Sequence, residues 1–195
     1  MTDFSDPQYD AKTELSGEEK EGLIPSYITL RSELNEAEQA NILEAHNWAA
    51  SHKRDVLNEK LLKTLHRRMY GNVWRWAGDY RTTGENIGVD AYRIPTDLRQ
   101  LLNDCRYWIA NATYEPDEIA ARFHHGLVAI HCYPNGNGRH ARLATDLLLT
   151  SMEQQPFSWG SKNLVDEEET RNQYIAALRA ADDHDIGPLR KFVRT

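Results

Sequence analysis

The sequence predicts a mainly α-helical protein, and three observations lead to that prediction. Apolar residues recur at helical spacing through most of the chain, as at Leu98, Leu102 and Cys105. Prolines stand where several of these segments begin, at the helix position where a missing N–H costs least. The exception is RTTGENIGVDAYRIP, 81–95, whose two glycines and alternating apolar residues favour strands. We therefore expect a helical bundle with a short β-hairpin flap.

Seven helices are predicted in chain order. Asn35 is expected to cap the first, with Glu38 three residues later as in a capping box. The second has one apolar stripe and ends near Gly71. Pro95 and Pro116 begin the third and fourth, and both helices have long apolar faces. The predicted ranges are about 35–51, 57–71, 95–109, 116–130, 137–155, 165–181 and a short piece after Pro188.

The composition limits the class of protein. A chain of 195 residues with 40% hydrophobic residues can bury one core. Its two cysteines, Cys105 and Cys132, match neither a disulfide framework nor zinc-ligand spacing. No apolar run reaches the roughly 20 residues of a membrane span, and the acidic N-terminus is unlike a signal peptide. We expect a cytoplasmic protein without a membrane segment.

The charge is unevenly distributed along the chain. The formal net charge is −7, and residues 1–22 hold seven carboxylates against two lysines, a local balance of −5. Direct nucleic-acid binding is not expected, because the net charge repels a polyphosphate at long range. A local phosphate site in the nearly neutral remainder is permitted. We divide the chain into an acidic N-terminal extension, 1–33, and a domain, 34–195.

The segment HCYPNGNGRHAR, 131–142, lies between the fourth and fifth predicted helices. A glycine turn that leads into a helix exposes unpaired N–H groups at the positive end of the helix dipole, which suits a phosphate. Gly136 and Gly138 permit positive φ and a close approach by a ligand. Arg139 and Arg142 oppose the dipole in the first turn unless an anion lies beside them. The pattern therefore predicts a polyphosphate site.

His131 ends the fourth predicted helix beside that site. Taken alone, a histidine in this position is as consistent with a satisfied core residue as with a catalytic one. Beside a phosphate site, a neutral imidazole can take the proton of an attacking hydroxyl. Phosphoryl chemistry depends on positioned charge, and the segment supplies a base, an anion-binding turn and two cations.

The same twelve residues closely resemble the signature of the Fic family, in which a histidine precedes Gly-Asn-Gly-Arg and a second arginine follows three residues later. Other stretches also resemble Fic domains: 65–81 (LHRRMYGNVWRWAGDYR), the flap 84–95, and 174–192 (YIAALRAADDHDIGPLRKF). The resemblance covers most of residues 34–195, and the whole chain is most similar to the subgroup called mobile mystery protein B. It implies a Fic fold with the flap over the active site.

The resemblance implies an enzyme that transfers AMP from ATP to a Ser, Thr or Tyr hydroxyl of a target protein and releases pyrophosphate, with Mg²⁺ as its metal. His131 would be the general base. The flap residues Asn86, Ile87, Gly88 and Val89 would hold the target by strand addition. The nucleotide would be bound by Asn135, Gly136, Asn137, Gly138, Arg139, Arg142, Tyr174 and Asp182.

Asn135 departs from the family pattern, which usually has Asp or Glu as the metal ligand at this position. A neutral amide should bind Mg²⁺ more weakly than a carboxylate, although the nucleotide's phosphates supply most of the ligands. Cys132 and Tyr133 replace Pro and Phe, and both changes are tolerable in size. A nucleophilic role for Cys132 is disfavoured, because adjacent residues at a helix end rarely face each other.

Some Fic proteins carry an inhibitory helix whose glutamate pairs with the second arginine of the signature. Here Glu21 and Gly22 match the end of that pattern, but Gly17 stands where Ser or Thr is expected. The resemblance implies that Glu21 pairs with Arg142 and limits self-modification. An acidic disordered tail is the alternative interpretation.

Two other functions remain open from the sequence. The related Doc toxins use a similar motif for protein kinase activity, but they lack the second glycine and usually the second arginine, so Gly138 and Arg142 favour AMP transfer. A nucleotide-binding toxin or regulatory module that has lost turnover through Asn135 is the non-enzymatic alternative. Members of the subgroup tend to be encoded beside a small helix-turn-helix protein, so we expect such a partner or an antitoxin. The sequence does not identify the protein substrate.

Overall fold

Helices form most of the computed structural model, which describes residues 21–51, 54–84, 87–161 and 167–195. Within those ranges lie seven α-helices, and a 3₁₀ turn at Ala91–Arg93 precedes the third. They are α1 Arg31–Ala50, α2 Glu59–Tyr70, α3 Ile94–Ala110, α4 Pro116–Ile130, α5 Asn137–Ser151, α6 Glu167–Asp182 and α7 Gly187–Phe192. The prediction of a mainly helical protein is confirmed. None of the described helices has the length and apolar character needed to cross a bilayer.

Helix α4 is the centre of the bundle, because α3, α5, α6 and α7 all pack against it. Its buried side chains include Ile119, Phe123, Leu127 and Ile130, which form the apolar face expected for this helix. Helices α1 and α2 pack against each other, and both also contact α5. The segment that joins α4 to α5 therefore lies where the two groups of helices meet.

Helix α1 begins at Arg31, ahead of the cap predicted at Asn35. The carboxylate of Glu33 accepts hydrogen bonds from the N–H groups of Thr29, at 2.8 Å, and Leu30, at 3.1 Å. This is the reach-back half of a capping box, and it satisfies free N–H groups at the helix start without a cap hydroxyl. Glu38, expected near the cap, is buried in the middle of the helix instead.

The prediction of a β-hairpin in residues 81–95 is wrong for its described part, 81–84 and 87–95, which we call the flap segment. These residues form no strand ladder, and their backbone bonds the end of α4 instead. The Arg81 N–H donates to Cys132 O at 3.0 Å, and the Val89 N–H donates to Ile130 O at 3.4 Å. We call residues 81–84 and 87–95 the two arms of the flap segment. Because each backbone N–H makes one such hydrogen bond, these bonds replace pairing between the two arms. Asn86 lies outside the described residues.

The residues just ahead of α1 pack on the bundle. Leu23 and Ile28 are buried in the main core. Ile24 N–H donates to Val73 O at 2.8 Å, and Arg75 N–H donates to Gly22 O at 2.9 Å. The core therefore includes residues on both sides of the domain boundary predicted at residue 34, while residues 1–20 lie outside the described part.

Three fully enclosed histidines, His66, His124 and His140, lie in the bundle. Burial lowers the pKa of His124 to about 3 and that of His140 to about 4, and it lowers the pKa of His66 well below its ordinary value. All three imidazoles are therefore neutral at neutral pH. The hydrogen-bond partners of their Nε2 atoms are, in the same order, Asn135 O at 3.0 Å, Tyr174 Oη at 2.8 Å and Leu62 O at 3.0 Å.

We predict that stability is full above about pH 6.5 and falls as the pH drops toward 4. The unfolded chain takes up protons at the ordinary histidine pKa near 6.5, whereas the folded protein keeps these three rings neutral to much lower pH. The free energy of unfolding should decrease by up to ~1.4 kcal/mol per pH unit for each histidine. Urea unfolding across this pH range measures the slope.

Two single substitutions test whether the buried histidines cause the dependence of the unfolding free energy on pH. His140→Gln should remove about one third of it, because one of three protons is no longer taken up on unfolding. His46→Gln, on the exposed side of α1, is the matched control and should leave the slope unchanged. Equal slopes for the two variants would contradict the prediction.

Candidate active site

The loop between α4 and α5 is closed by the side chain of Asn137, the first residue of α5. Its Oδ1 accepts the N–H of Tyr133 at 2.9 Å, and its Nδ2 donates to Tyr133 O at 2.7 Å. The side chain is buried, and both of its polar ends are used within the loop. Asn137 can therefore offer a ligand its backbone N–H, while its side chain holds the loop in shape.

Gly136 is the cap of α5 and has a positive φ of 77°. A Cβ at this position would lie 2.5 Å from atoms of the Tyr70 ring, so a side chain fits neither the backbone conformation nor the space. The N–H groups of Asn137, Gly138 and Arg139 follow in the first turn, where a helix has no carbonyl for them. A helix start of this kind can bind an anion, and the predicted phosphate site at this position stays a prediction.

His66 supports this loop from helix α2. The Gly78 N–H donates to His66 Nδ1 at 3.0 Å, which leaves the proton on Nε2, and Nε2 donates to the carbonyl oxygen of Asn135 at 3.0 Å. The ring also stacks on Tyr133, with the ring centres 3.7 Å apart. His66 thus fixes the exposed corner of the loop at Asn135.

Arg139 forms an ion pair with Glu38 of helix α1. Its Nη1 lies 2.8 Å from Glu38 Oε2, and the other carboxylate oxygen accepts a hydrogen bond from Trp74 Nε1 at 2.7 Å. Only 5% of the Glu38 side chain is exposed, against 42% of the Arg139 side chain. A buried carboxylate needs such partners, and the pair holds the guanidinium at the start of α5.

Arg142 lies among aromatic rings one turn further along α5. Its guanidinium carbon is 4.7 Å from the centre of the Tyr174 ring and 5.9 Å from that of Trp159. Cations over ring faces are attracted to them, so these contacts orient Arg142. The structure therefore brings Tyr174, a residue predicted to bind the nucleotide, to the signature helix.

Asp182 lies at the end of α6, where its Oδ1 is 2.7 Å from Nε2 of His125. Its side chain is 62% exposed. The described contacts join it to α4 through His125 and to none of the residues in the α4–α5 loop. A role for Asp182 in nucleotide binding stays a prediction.

His131 follows α4 in the left-handed conformation, with φ 55° and ψ 63°. This conformation is costly for a residue with a side chain, and it persists only where the surroundings hold it. Its N–H donates to Leu127 O at 3.2 Å, and its carbonyl accepts a hydrogen bond from Arg81 Nε at 2.7 Å. Gly88 lies directly against it, since a Cβ on Gly88 would be 2.5 Å from His131 Cβ. The flap segment and the candidate base are thus in contact.

Cys132 is buried beside His131. Burial raises the pKa of its thiol to about 12, so the thiol stays protonated at neutral pH. A protonated, enclosed thiol is a poor nucleophile. The structure agrees with the interpretation that Cys132 is not the reactive group.

Glu21 is exposed, in the short segment that pairs with residues 73–75. Among the described residues it makes no ion pair with Arg142, whose partners are the rings of Tyr174 and Trp159. The carboxylate that does reach a signature arginine is Glu38. Pairing of Glu21 with Arg142 therefore stays a prediction.

A metal at this site would depend on Asn135. Within the described ranges no group of three or more His, Cys, Asp or Glu side chains could hold a metal ion. Asn135 is exposed, and its Oδ1 accepts the Gly136 N–H at 2.6 Å. An amide oxygen has two lone pairs, so one remains for a cation. These residues fit a Mg²⁺ that is bound mainly through phosphates and takes one neutral oxygen from the protein.

Three residues of the site were not found from the sequence: Glu38, His66 and Arg81. Glu38 was assigned to a helix cap, and His66 and Arg81 were only part of a stretch that resembled a family. Their partners lie 101, 69 and 50 residues away in the chain, respectively. His66 and Arg81 stand among other polar and charged residues, so the local sequence singled out neither of them.

A left-handed histidine, a glycine-capped helix start and two arginines on that helix lie within residues 131–142 of a helical protein. Phosphate binding there stays a prediction. The model of the Fic/DOC family matches residues 56–149, and the chain belongs to that family. The family expected from the sequence is confirmed, and the subgroup stays a prediction.

Relatives of known name align with three quarters of the chain. The protein adenylyltransferase fic-1 of Caenorhabditis elegans is 32% identical over 148 residues, which are 74% of this chain and 27% of that protein. The protein adenylyltransferase Fic of Aedes aegypti is 29% identical over 151 residues, 75% of this chain and 29% of that protein. The chain thus spans less than a third of the length of these relatives.

Solved structures share the fold. Fic-1 of C. elegans, residues 134–508, superposes with a TM-score of 0.67 at 26% identity and covers 90% of this chain and 51% of that one. The BepC protein of Bartonella tribocorum, crystallised with bound AMPPNP, has a TM-score of 0.68 at 15% identity and covers 90% of this chain and 95% of that one. The expected Fic fold is therefore confirmed.

We predict that Gly136→Ala destabilises the protein by about 2–4 kcal/mol, because alanine is strained at φ 77° and its methyl group would overlap the Tyr70 ring. Gly84→Ala is the matched control, since nothing lies within 4 Å of a Cβ there. Urea unfolding at neutral pH measures both. A Gly136→Ala variant as stable as the control would show that the loop relaxes and does not require glycine.

Proposed function

We propose that this chain is a protein adenylyltransferase, which transfers AMP from ATP to a Ser, Thr or Tyr hydroxyl of a target protein and releases pyrophosphate. The observation that carries the proposal is that a candidate base, His131, and a glycine-capped helix start followed by Arg139 and Arg142 lie at the two ends of one short loop. Relatives named protein adenylyltransferase align over three quarters of the chain. Because the chain spans less than a third of those proteins, activity, target and partners are proposals for this domain.

The start of α5 supports binding of a nucleoside triphosphate through its phosphates. The free N–H groups of the first turn lie at the positive end of the helix dipole and can donate to phosphate oxygens. Arg139 and Arg142 add two fixed cations that are held by Glu38 and by aromatic rings. Fixed donors and charges stabilise the charge that develops on a leaving pyrophosphate without reorganising.

His131 would supply the proton transfer. Its imidazole takes the proton of the target hydroxyl as the hydroxyl oxygen forms a bond to the α-phosphorus of ATP. The bond from that phosphorus to the bridging oxygen breaks, and pyrophosphate leaves with the electron pair. Gly88 against His131 would place residues 87–89 where they can hold the target chain beside the base.

Asn135 would be the protein's ligand for a metal at this site. When bound, Mg²⁺ offsets the negative charge of the phosphates. The amide of Asn135 contributes no charge of its own, and its oxygen is also engaged by the Gly136 N–H. Metal binding by this domain should therefore be weak and depend on the nucleotide.

The other features of the proposal rest on the sequence pattern. We retain a cytoplasmic location, a small helix-turn-helix or antitoxin partner, self-modification and restraint by Glu21 as proposals on that basis. Kinase activity and nucleotide binding without turnover are the competing functions. Gly138 and Arg142 lie in the α5 start and favour AMP transfer over the kinase.

We predict that incubation with ATP labelled at the α-phosphate transfers label to protein, whereas ATP labelled at the γ-phosphate does not. His131→Ala should lower the labelling at least about 100-fold, because general bases contribute that much or more to proton transfer. His184→Ala, exposed beyond the end of α6, is the control and should keep full labelling. Labelling by the γ-phosphate alone would establish protein kinase activity instead. ATP binding without transfer of either label would establish a nucleotide-binding module without turnover.

We predict that Asn135→Asp lowers the Mg²⁺ concentration for half-maximal labelling about tenfold, because a carboxylate is a better ligand for this hard cation than an amide. Asn111→Asp, which adds the same charge at the end of α3, is the matched control. Labelling as a function of Mg²⁺ at constant ATP measures the effect. Identical Mg²⁺ dependence for all three proteins would remove Asn135 from the metal site.

A further inference from the structure

Arg81 is a buried arginine whose acceptors in the described structure are main-chain carbonyls. Its Nε donates to His131 O at 2.7 Å, and its Nη1 donates to Thr83 O at 2.8 Å. Its Nη2 donates to Val89 O and, at 3.5 Å, to Ile130 O. No carboxylate of the described residues forms an ion pair with it. Buried charges are usually paired, so a buried cation whose described acceptors are all carbonyls calls for an explanation.

Those carbonyls belong to two different parts of the site. Ile130 and His131 end α4, where carbonyls lack helical partners and carry the negative end of the dipole. Thr83 and Val89 belong to the two described arms of the flap segment. The planar fork of one guanidinium therefore ties both arms to the end of α4. A lysine ammonium, with a single centre for its three donors, cannot reproduce that geometry.

Gly88 is packed into the same contact. A Cβ on Gly88 would lie 2.8 Å from Arg81 Nη2 as well as 2.5 Å from His131 Cβ. One of the carbonyls that Arg81 binds belongs to His131 itself, whose left-handed conformation depends on its surroundings. Displacement of Arg81 would therefore move the histidine and the flap segment together.

We propose that Arg81 is the positioning residue of this site, which sets the orientation of His131 and holds Gly88 and Val89 of the flap segment against it. This inference rests on the proposed function, because His131 is the proposed base and the flap segment the proposed target-binding element. Arg81 touches neither the phosphate-binding start of α5 nor Arg139 and Arg142 in the described contacts. Its effect should therefore fall on turnover and not on ATP binding.

The test compares Arg81→Gln and Arg81→Lys in the labelling assay at constant protein concentration. We expect kcat for transfer of α-label to fall roughly 100-fold in Arg81→Gln, since a misplacement of about 1 Å can have an effect of that size. The KM for ATP should stay within about twofold. Arg81→Lys keeps the charge without the fork, so its kcat should lie between those of Arg81→Gln and the wild type.

Arg106→Lys is the matched control. This arginine also donates to a main-chain carbonyl, that of Leu57, and to Asn103, away from the α4–α5 loop. It should leave kcat and KM unchanged. Circular dichroism and thermal unfolding confirm that each variant is folded at the assay temperature. If Arg81→Gln does not fold, the comparison of Arg81→Lys with Arg106→Lys decides the question.

Nuclear magnetic resonance of the His131 imidazole, assigned with His131→Ala, gives a readout that does not need activity. The ring resonance should shift in both Arg81 variants and stay in place in Arg106→Lys. Full kcat in a folded Arg81 variant, or an unmoved His131 resonance, overturns the proposal. If the wild type transfers no label, the proposed function fails, and the resonance alone decides the role of Arg81.

Discussion

The six residues between Ile130 and Asn137 connect the carbonyl end of α4 to the N–H end of α5. The candidate site depends on which groups bind the partial charges of these two helix ends. The carbonyl end of α4 is bound by the buried guanidinium of Arg81. At the N–H end of α5, Gly136 makes the turn with a positive φ and packs against the Tyr70 ring. The carbonyls of one helix end are thus bound by a charged side chain of the protein, whereas the N–H groups of the other end are the ones proposed to bind a phosphate.

The residues that shape this loop are neutral or paired, which suits their burial. His66 bonds the Asn135 carbonyl as a neutral ring, and Asn137 closes the loop with both ends of its amide. Glu38 is the exception, a carboxylate brought in by α1 that holds Arg139 and accepts from Trp74. Removing Arg139 would leave the buried Glu38 carboxylate without its counter-charge, so α1 is part of the candidate site and not only of the scaffold.

Different contacts hold the residues on the α4 side and on the α5 side of the loop. His131 and the flap segment are held together on the side of α4, and the two arginines are held on α5 by unrelated partners. Asn135 lies between them, bonded to its own loop through Oδ1. In the proposed function, separate sets of contacts position the target hydroxyl and the triphosphate. Fixed charges and a fixed base accelerate phosphoryl transfer in this way.

The sequence by itself determined the helices and the signature, since helical periodicity, proline at helix starts and glycine at position 136 express local requirements of the backbone. Tertiary structure decided the conformation of the flap segment. The alternation of apolar and polar residues there predicted strands, but the Arg81 and Val89 N–H groups bond carbonyls at the end of α4. It also decided the partners of Glu38, His66 and Arg81, which lie 50 to 101 residues away. A local pattern indicates that a residue requires a hydrogen-bond partner or a counter-charge. Which distant group supplies it depends on how the helices pack.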